Sequence, residues 1–174
     1  FETKINNNVP NHYLQAAFPT DVDAEFVYAQ GQFDVVKRPI AKPDYSKYDE
    51  IPMTEQPMNS FVDICNENEG AAILNTGLKA YESDDDYNHT VYLSLLRCFE
   101  LRIYVTPEEQ NYSRIENGSQ SFGEHTFRYA FMPHKGDWED AQVWKAAEDF
   151  NMEILIGQTA PTEHGKNPLE KSFI

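Results

Sequence analysis

Two residues of the chain, Arg97 and His134, have a type and a position suited to binding a ligand or taking part in a reaction. Arg97 ends the apolar run VYLSLLR, where its cationic group must reach solvent or find a carboxylate partner. It is either a strand-end arginine with a local partner or a cation that faces a cleft formed with another domain. His134 lies in the stretch YAFMPHKGDW, close to an acid and a tryptophan. It is either a chemical residue or a structural one that donates to a turn carbonyl or packs against Trp138.

Other residue types with chemical potential show no motif spacing. The five histidines lack the H-x-x-x-H, H-x-D and H-E-x-x-H patterns of metal sites. The run Asp84–Asp86 is interpreted as a solvated turn, with a metal site as the alternative. Cys65 and Cys98 stand in apolar contexts and are expected to be buried, reduced thiols. A nucleophile elbow, a phosphate-binding glycine loop and a dinucleotide fingerprint are absent, so the motifs predict no reaction centre and no metal in this chain.

Composition limits the partners of the chain. The 174 residues include 29 acidic and 14 basic side chains, which give a formal net charge of -15. Such a charge repels nucleic acid and anionic membrane surfaces, and no apolar run is long enough to span a bilayer. The chain opens with FETKINNN and closes with EKSFI, and we interpret both ends as cuts in a longer chain.

Short runs with period-two alternation, separated by Asn, Gly, Asp and Pro, predict an all-β fold, namely an antiparallel β-sandwich. Strands are expected at 12–18, 24–36, 59–65, 70–75, 90–96, 125–131 and 152–157. The segment FVDICNENEGAAILN predicts a hairpin in which Gly70 supplies a positive φ. The proline-rich segment 37–58 is expected to be a long connection over the surface, and 106–124 a loop.

One short helix is predicted near 137–150. Gly136 turns the chain, and Asp137 is placed as the N-cap. The apolar side chains recur at helical spacing and should lie on a face of the sheet; they are Trp138, Ala141, Trp144, Ala147 and Phe150.

A colinear series of motifs now points to a family. The series is FPTD (18–21), QFDVVKRPI (32–40), P-x-N-S-F-V-D (57–63), GAAILNTGLKAYE (70–82), YLSLLR (92–97) and FRYAFMPHKGDW (127–138). It resembles the C-terminal β-sandwich region of glycoside hydrolase family 38, the family of the α-mannosidases and bacterial mannosylglycerate hydrolases. The resemblance covers nearly the whole chain.

The resemblance implies a larger parent enzyme. Residues 1–174 would be part of a galactose-mutarotase-like sandwich, without the N-terminal β/α barrel, the helical segment after it and the final strands. Members are retaining hydrolases of terminal α-mannosides, and their catalytic carboxylates and zinc ligands lie in the barrel and the helical segment. The fragment alone is therefore expected to be inactive, with no catalytic residue, metal ligand or cofactor of its own.

The resemblance also assigns roles to particular residues. Arg97 matches an arginine that reaches from the sandwich toward the sugar site, where it could orient a hydroxyl or an acidic aglycone such as glycerate or phosphate. Pro133, His134, Gly136 and Trp138 form a structural motif. The expected partners are the parent's own barrel and helical segment and, through them, an α-mannoside. The implied location is the bacterial cytoplasm, and a homo-oligomer is left open.

Two alternatives remain at this point. The chain could be a carbohydrate-binding module that uses Tyr45, Tyr48 and Trp138 as stacking platforms, or a structural interaction domain of a larger assembly. A scaffold separated from its parent should expose a large apolar patch, whereas a lectin-like module should show a small aromatic groove.

Overall fold

The computed structural model describes residues 1–47, 49, 53–100, 117–154, 156 and 157. Within them the strands are β1 (Glu2–Asn7), β2 (Tyr13–Phe18), β3 (Phe26–Gln30), β4 (Val35–Pro39), β5 (Gln56–Pro57), β6 (Phe61–Cys65), β7 (Glu69–Asn75), β8 (Ala80–Ser83), β9 (Val91–Arg97) and β10 (Gly123–Lys135). The helices are α1 (Asn117–Gln120) and α2 (Val143–Asn151), and a 3-10 turn spans Tyr45–Lys47. None of the described helices has the length and apolar character needed to cross a membrane.

The strands form two sheets in which every neighbouring pair is antiparallel. The larger sheet has six strands in the order β1-β10-β7-β6-β3-β4, and the smaller has four in the order β2-β9-β8-β5. The predicted all-β antiparallel sandwich is confirmed. β10 is long enough to pair with β1 through its first half and with β7 through its second half.

The main core lies between the sheets. Alternate residues of the central strands point inward, as the two-residue period of a strand requires. Val62 and Ile64 of β6 face Leu93 of β9 and Tyr81 of β8 in one cluster of buried side chains. Because the inward positions of both sheets are apolar, burial of their side chains drives the two layers together.

A second, smaller core lies on the outer face of the six-stranded sheet, where α2 packs. Val143 and Ala147 of the helix are buried against Phe61, Ala72 and Leu74. All five residues of β6 are buried as a result, because its two faces are both covered. The prediction that this segment packs on a sheet face is confirmed.

The predicted start of the helix at Asp137 is wrong. Residues 137–142 form consecutive turns, in which the Asp137 carboxylate accepts hydrogen bonds from the amides of Glu139 (3.0 Å) and Asp140 (2.9 Å). Gln142 has a left-handed φ of 51°, which separates these turns from α2. Of the predicted apolar side chains, Trp144 alone does not reach the sheet: it is 42% exposed and Val143 is buried in its place. Trp138, Ala141, Ala147 and Phe150 pack there as predicted.

Some predicted strands also need correction. The run 24–36 is a hairpin of β3 and β4, closed by a hydrogen bond from the Gly31 amide to the Asp34 carbonyl (2.7 Å). The described residues of 152–157 form no strand, and their isoleucines are largely exposed. β1, β5 and β8 were not predicted.

The proline-rich segment contributes more to the sheets than expected. Pro39 ends β4 and Pro57 lies in β5, and both are edge strands, where a missing amide donor is tolerated. Most of the predicted loop 106–124 lies outside the described residues; its last part holds α1 and the start of β10.

Candidate functional site

A network of polar side chains covers the outer face of the four-stranded sheet. Its members come from all four strands or their ends, and they are Tyr13, Gln15, Thr54, Glu55, Glu82, Ser94 and Arg97. The network collects residues that are far apart in sequence, because β2, β9, β8 and β5 are neighbours only in the fold. It surrounds the residue that the sequence singled out, Arg97.

A β-bulge places Arg97 on this face. β2 pairs Gln15 with Ser94 but Leu14 with Leu96, so β9 contains one extra residue, Leu95. An extra residue reverses the alternation of the side chains that follow it. Arg97 consequently lies on the same outer face as Ser94, although the two are three positions apart.

Glu55 is the centre of the network. Its Oε1 accepts hydrogen bonds from the Tyr13 hydroxyl (2.8 Å) and from Ser94 Oγ (2.7 Å). Its Oε2 lies 3.2 Å from Arg97 Nη1. The Glu55 side chain is only 10% exposed, whereas that of Arg97 is 55% exposed. The carboxylate is thus fixed by three donors, and the guanidinium presents its remaining donors to solvent.

A second carboxylate, Glu82, lies beside the first. It accepts hydrogen bonds from Gln15 Nε2 (2.9 Å) and from Thr54 Oγ1. Gln15 also donates to the Tyr13 hydroxyl (3.0 Å), so the two carboxylates share one hydrogen-bonded framework. Burial, together with the charges of both carboxylates, raises the pKa of Tyr13 to about 12, so the phenol stays a neutral donor.

The network borders a cleft of about 550 Å³. Met53, Thr54, Glu55, Glu82 and Arg97 line one part of it. His12, Cys98 and Phe99 belong to the same lining, and Phe99 is an exposed aromatic side chain. The cleft therefore offers donors, acceptors and apolar surface together, which are the features of a site for a small polar ligand.

The structure places His134 in a different location, on the outer face of the six-stranded sheet. Its Nε2 lies 2.8 Å from Asp63 Oδ1, and the two side chains are 5% and 0% exposed. Its side-chain partner is thus Asp63, which the sequence interpretation did not suggest. Burial opposes protonation of His134, but the hydrogen bond and charge of Asp63 outweigh it, so the pKa of His134 lies above its ordinary value.

The contact between His134 and Asp63 requires a glycine. Cys65, Gly70 and His134 form one row across β6, β7 and β10. A Cβ on Gly70 would lie 2.3 Å from Cε1 of His134 and 2.6 Å from Cβ of Cys65. Gly70 does not have the positive φ predicted for it; its role is to leave space for the imidazole.

The other members of the predicted structural motif lie around the same corner. Pro133 pairs with Ala71 inside the sheet. Gly136 has a φ of 70° and donates its amide to the Asn68 carbonyl, so its predicted turn is present. Trp138 packs against Tyr28 and Phe61. Since Arg97 lies on the opposite face of the sandwich, the structure does not bring it together with His134.

The remaining sequence candidates have local partners. Asp86 accepts from the amide (2.8 Å) and the hydroxyl (2.7 Å) of Thr90, which lower its pKa, and the run Asp84–Asp86 is a hydrogen-bonded turn. Both cysteines are free and buried, as predicted. In the part of the chain that the structure describes, no three metal-binding side chains converge. Of the proposed stacking platforms, Trp138 is packed and half-buried, and Tyr48 lies outside the described residues.

The sequence interpretation missed the partners of its own candidates. Asp63 had a visible signal, since an acid inside the apolar run FVDIC must be paired when the strand is buried. Glu55 had none, because it lies in a proline-rich connection with many polar residues.

Comparison with known proteins identifies the class of protein to which this sandwich belongs. Residues 1–100 match the family model for the glycosyl hydrolases family 38 C-terminal domain. The chain belongs to this family.

Two relatives show the extent of the similarity. The chain is 29% identical to a protein of Halalkalibacterium halodurans named "Putative mannosylglycerate hydrolase", over 94% of the chain and 17% of that protein. It is 27% identical to human alpha-mannosidase 2C1, over 89% of the chain and 13% of that protein. The chain thus spans less than a fifth of the length of these relatives.

A solved structure shows the same fold. The crystal structure of an alpha-mannosidase from Enterococcus faecalis V583 superposes with a TM-score of 0.70 at 28% identity, over 86% of the chain and 16% of that structure. The recognition of the family from the motifs is confirmed.

Proposed function

We propose that the chain forms part of the C-terminal β-sandwich of a larger hydrolase of terminal α-mannosides and that it acts as a non-catalytic wall of the sugar site. Family membership and the small share of the relatives' length that the chain spans support this proposal. In it, the sandwich packs against the catalytic barrel and the helical segment of the same protein.

The observation that carries the role in sugar binding is the cleft around Arg97. A sugar hydroxyl both donates and accepts hydrogen bonds, whereas a guanidinium only donates and a carboxylate only accepts. Arg97 can therefore donate to sugar hydroxyl groups, and the carboxylates of Glu55 and Glu82 can accept from them. Phe99 adds apolar surface at the edge, where a sugar ring could pack.

The chemical step belongs elsewhere in the proposed protein. A retaining mechanism needs two carboxyl groups about 5–5.5 Å apart, one as nucleophile and one as acid and base. Glu55 is engaged by three donors and Glu82 by two, so we assign to both the role of hydrogen-bond acceptor and not that of nucleophile or acid. A zinc ion does not fit the described residues, because no three ligand side chains converge among them. We therefore assign catalysis and zinc to the barrel and the helical segment.

The test is hydrolysis of 4-nitrophenyl α-mannoside, with added zinc, by the 174-residue chain and by the full-length protein that contains it. We expect activity in the full-length protein and none in the chain. Activity in the isolated chain would show that a catalytic pair exists among its own carboxylates. An inactive but folded full-length protein would rule out the assignment as a mannosidase.

A further inference from the structure

We infer that the Arg97 cleft selects substrates whose group at this position is uncharged and hydroxylated, and that Glu55 and Glu82 reject a carboxylate or phosphate there. The inference rests on the proposed function, in which the cleft faces the substrate. Of the two possible ligands of Arg97, a sugar hydroxyl and an acidic aglycone, the inference favours the hydroxyl.

The first argument is the engagement of Arg97. An arginine that recognises an anion does so best through two parallel N–H donors. Here Nη1 of Arg97 is held by Glu55 Oε2 at 3.2 Å, and Nη2 lies 3.7 Å from the Met53 sulfur. An anionic ligand that used the Nη1–Nη2 pair would have to share Nη1 with a carboxylate that is only 10% exposed and is held by Tyr13 and Ser94 as well. A hydroxyl needs only one free donor.

The second argument is the local charge. Glu55 and Glu82 contribute two negative charges to the lining of the cleft, and Arg97 contributes one positive charge. The three side chains together carry a net charge of -1, so they repel an incoming anion. An uncharged hydroxyl is not repelled and can donate a hydrogen bond to Glu55 or to Glu82.

The experiment compares two substrates of nearly equal shape in the full-length protein, 4-carboxyphenyl α-mannoside and its uncharged primary amide, with release of mannose as the readout. We expect a lower kcat/KM for the carboxylate than for the uncharged substrate. This gap, the ratio of the two kcat/KM values, should narrow as salt concentration rises, because salt screens the repulsion. Glu55→Gln and Glu82→Gln should each narrow the gap by about tenfold, because each removes one repelling charge. Glu2→Gln, a change on an exposed glutamate of β1 paired with Lys4, is the matched control and should leave the gap unchanged.

The outcomes separate this inference from the proposed function. If Arg97→Ala weakens hydrolysis of both substrates but the glutamate variants leave their ratio as in the wild type, the inference is overturned and the wall function stands. If none of the three variants changes either substrate, the cleft does not face the sugar and both are overturned. Thermal unfolding of each variant separates these results from loss of fold.

Discussion

His134 of β10 and Asp63 of β6 are joined across the strand that separates them, with Nε2 of the imidazole 2.8 Å from Oδ1 of the carboxylate. The intervening strand, β7, presents Gly70 at this point and so puts no side chain in the way. A buried, charged hydrogen bond of this kind is costly to leave with one partner missing. The pair therefore fixes the end of β10, from which the chain turns toward α2.

Substitution of Gly70 by alanine should break this contact. The new methyl group would occupy the space of the imidazole, which must move away from Asp63. We expect the free energy of unfolding to fall by about 1–3 kcal/mol or more, since overpacking adds to the loss of the pair. Urea unfolding followed by circular dichroism measures the change. Gly118→Ala is the matched control, because its Cβ would meet open space; an equal loss in both variants would contradict the explanation.

The same pair should make stability depend on pH in a defined direction. The pKa of His134 is raised in the folded state, so folding favours its protonated form. A group of this kind contributes its full stabilisation below its ordinary pKa of 6.5 and loses it as the pH rises through the raised value. We expect the free energy of unfolding of the wild type to decrease as the pH rises from 6.5 through the raised pKa of His134.

Asp63→Asn isolates the contribution of His134 to this dependence. The variant keeps the burial that lowers the pKa of His134 and loses the carboxylate that raises it. Urea unfolding at a series of pH values should therefore show a smaller decrease in the variant than in the wild type, while all other titrating groups are shared. Parallel curves would mean that His134 does not titrate as described.

The position of α2 on the sheet gives a third prediction. Val143 is fully buried against the outer face of the six-stranded sheet, whereas its neighbour Trp144 is 42% exposed. Val143→Ala should lower the free energy of unfolding by about 2 kcal/mol, and Trp144→Ala by less than about 1 kcal/mol although it removes more atoms. Thermal or urea unfolding of the two variants decides the matter. A larger loss for Trp144→Ala would mean that Trp144, as expected from the sequence, packs on the sheet in place of Val143.

A fourth prediction concerns Arg97 in the full-length protein. Loss of its donors in Arg97→Ala should lower kcat/KM for 4-nitrophenyl α-mannoside by roughly ten- to a hundredfold, as expected for a charged hydrogen bond to substrate. The melting temperature should change little, because the side chain is 55% exposed. Arg128, which packs over Phe150 on the opposite face of the sandwich, supplies the control variant Arg128→Ala. Unchanged kinetics in Arg97→Ala would remove this residue from the site.

The sequence predicted those parts of the fold whose signals are local. The hairpin of β6 and β7 was found because two apolar runs enclose a polar turn, and both belong to one continuous segment. The hairpin of β3 and β4 was read as one strand, since residues on both sides of its turn keep the alternation expected of a single strand. β1 was missed because it is mostly polar and β8 because it has only four residues, and only their partners elsewhere in the chain make them strands.

The candidate site was predictable only in part, for a related reason. Arg97 was identified because a charge at the end of an apolar strand is conspicuous, and the family motif supported it. Its partner Glu55 comes from the connection before β5, and the bulge at Leu95 that turns Arg97 toward it has no signature in the sequence. Contacts between distant segments are a property of the sheet order, which a pattern of single residues does not contain.

The pairing of β1 with β10 sets the order in which the domain can assemble. Glu2 lies opposite Arg128, and Asn7 opposite Gly123, so the first strand of the chain has its neighbour near the end of the described sandwich. During synthesis β1 must wait, unpaired, until more than a hundred further residues have left the ribosome. Loop closure over so long a segment is slow. The hairpins of the central strands can form early, and β10 then completes the six-stranded sheet by joining them to β1, which lies more than a hundred residues before it.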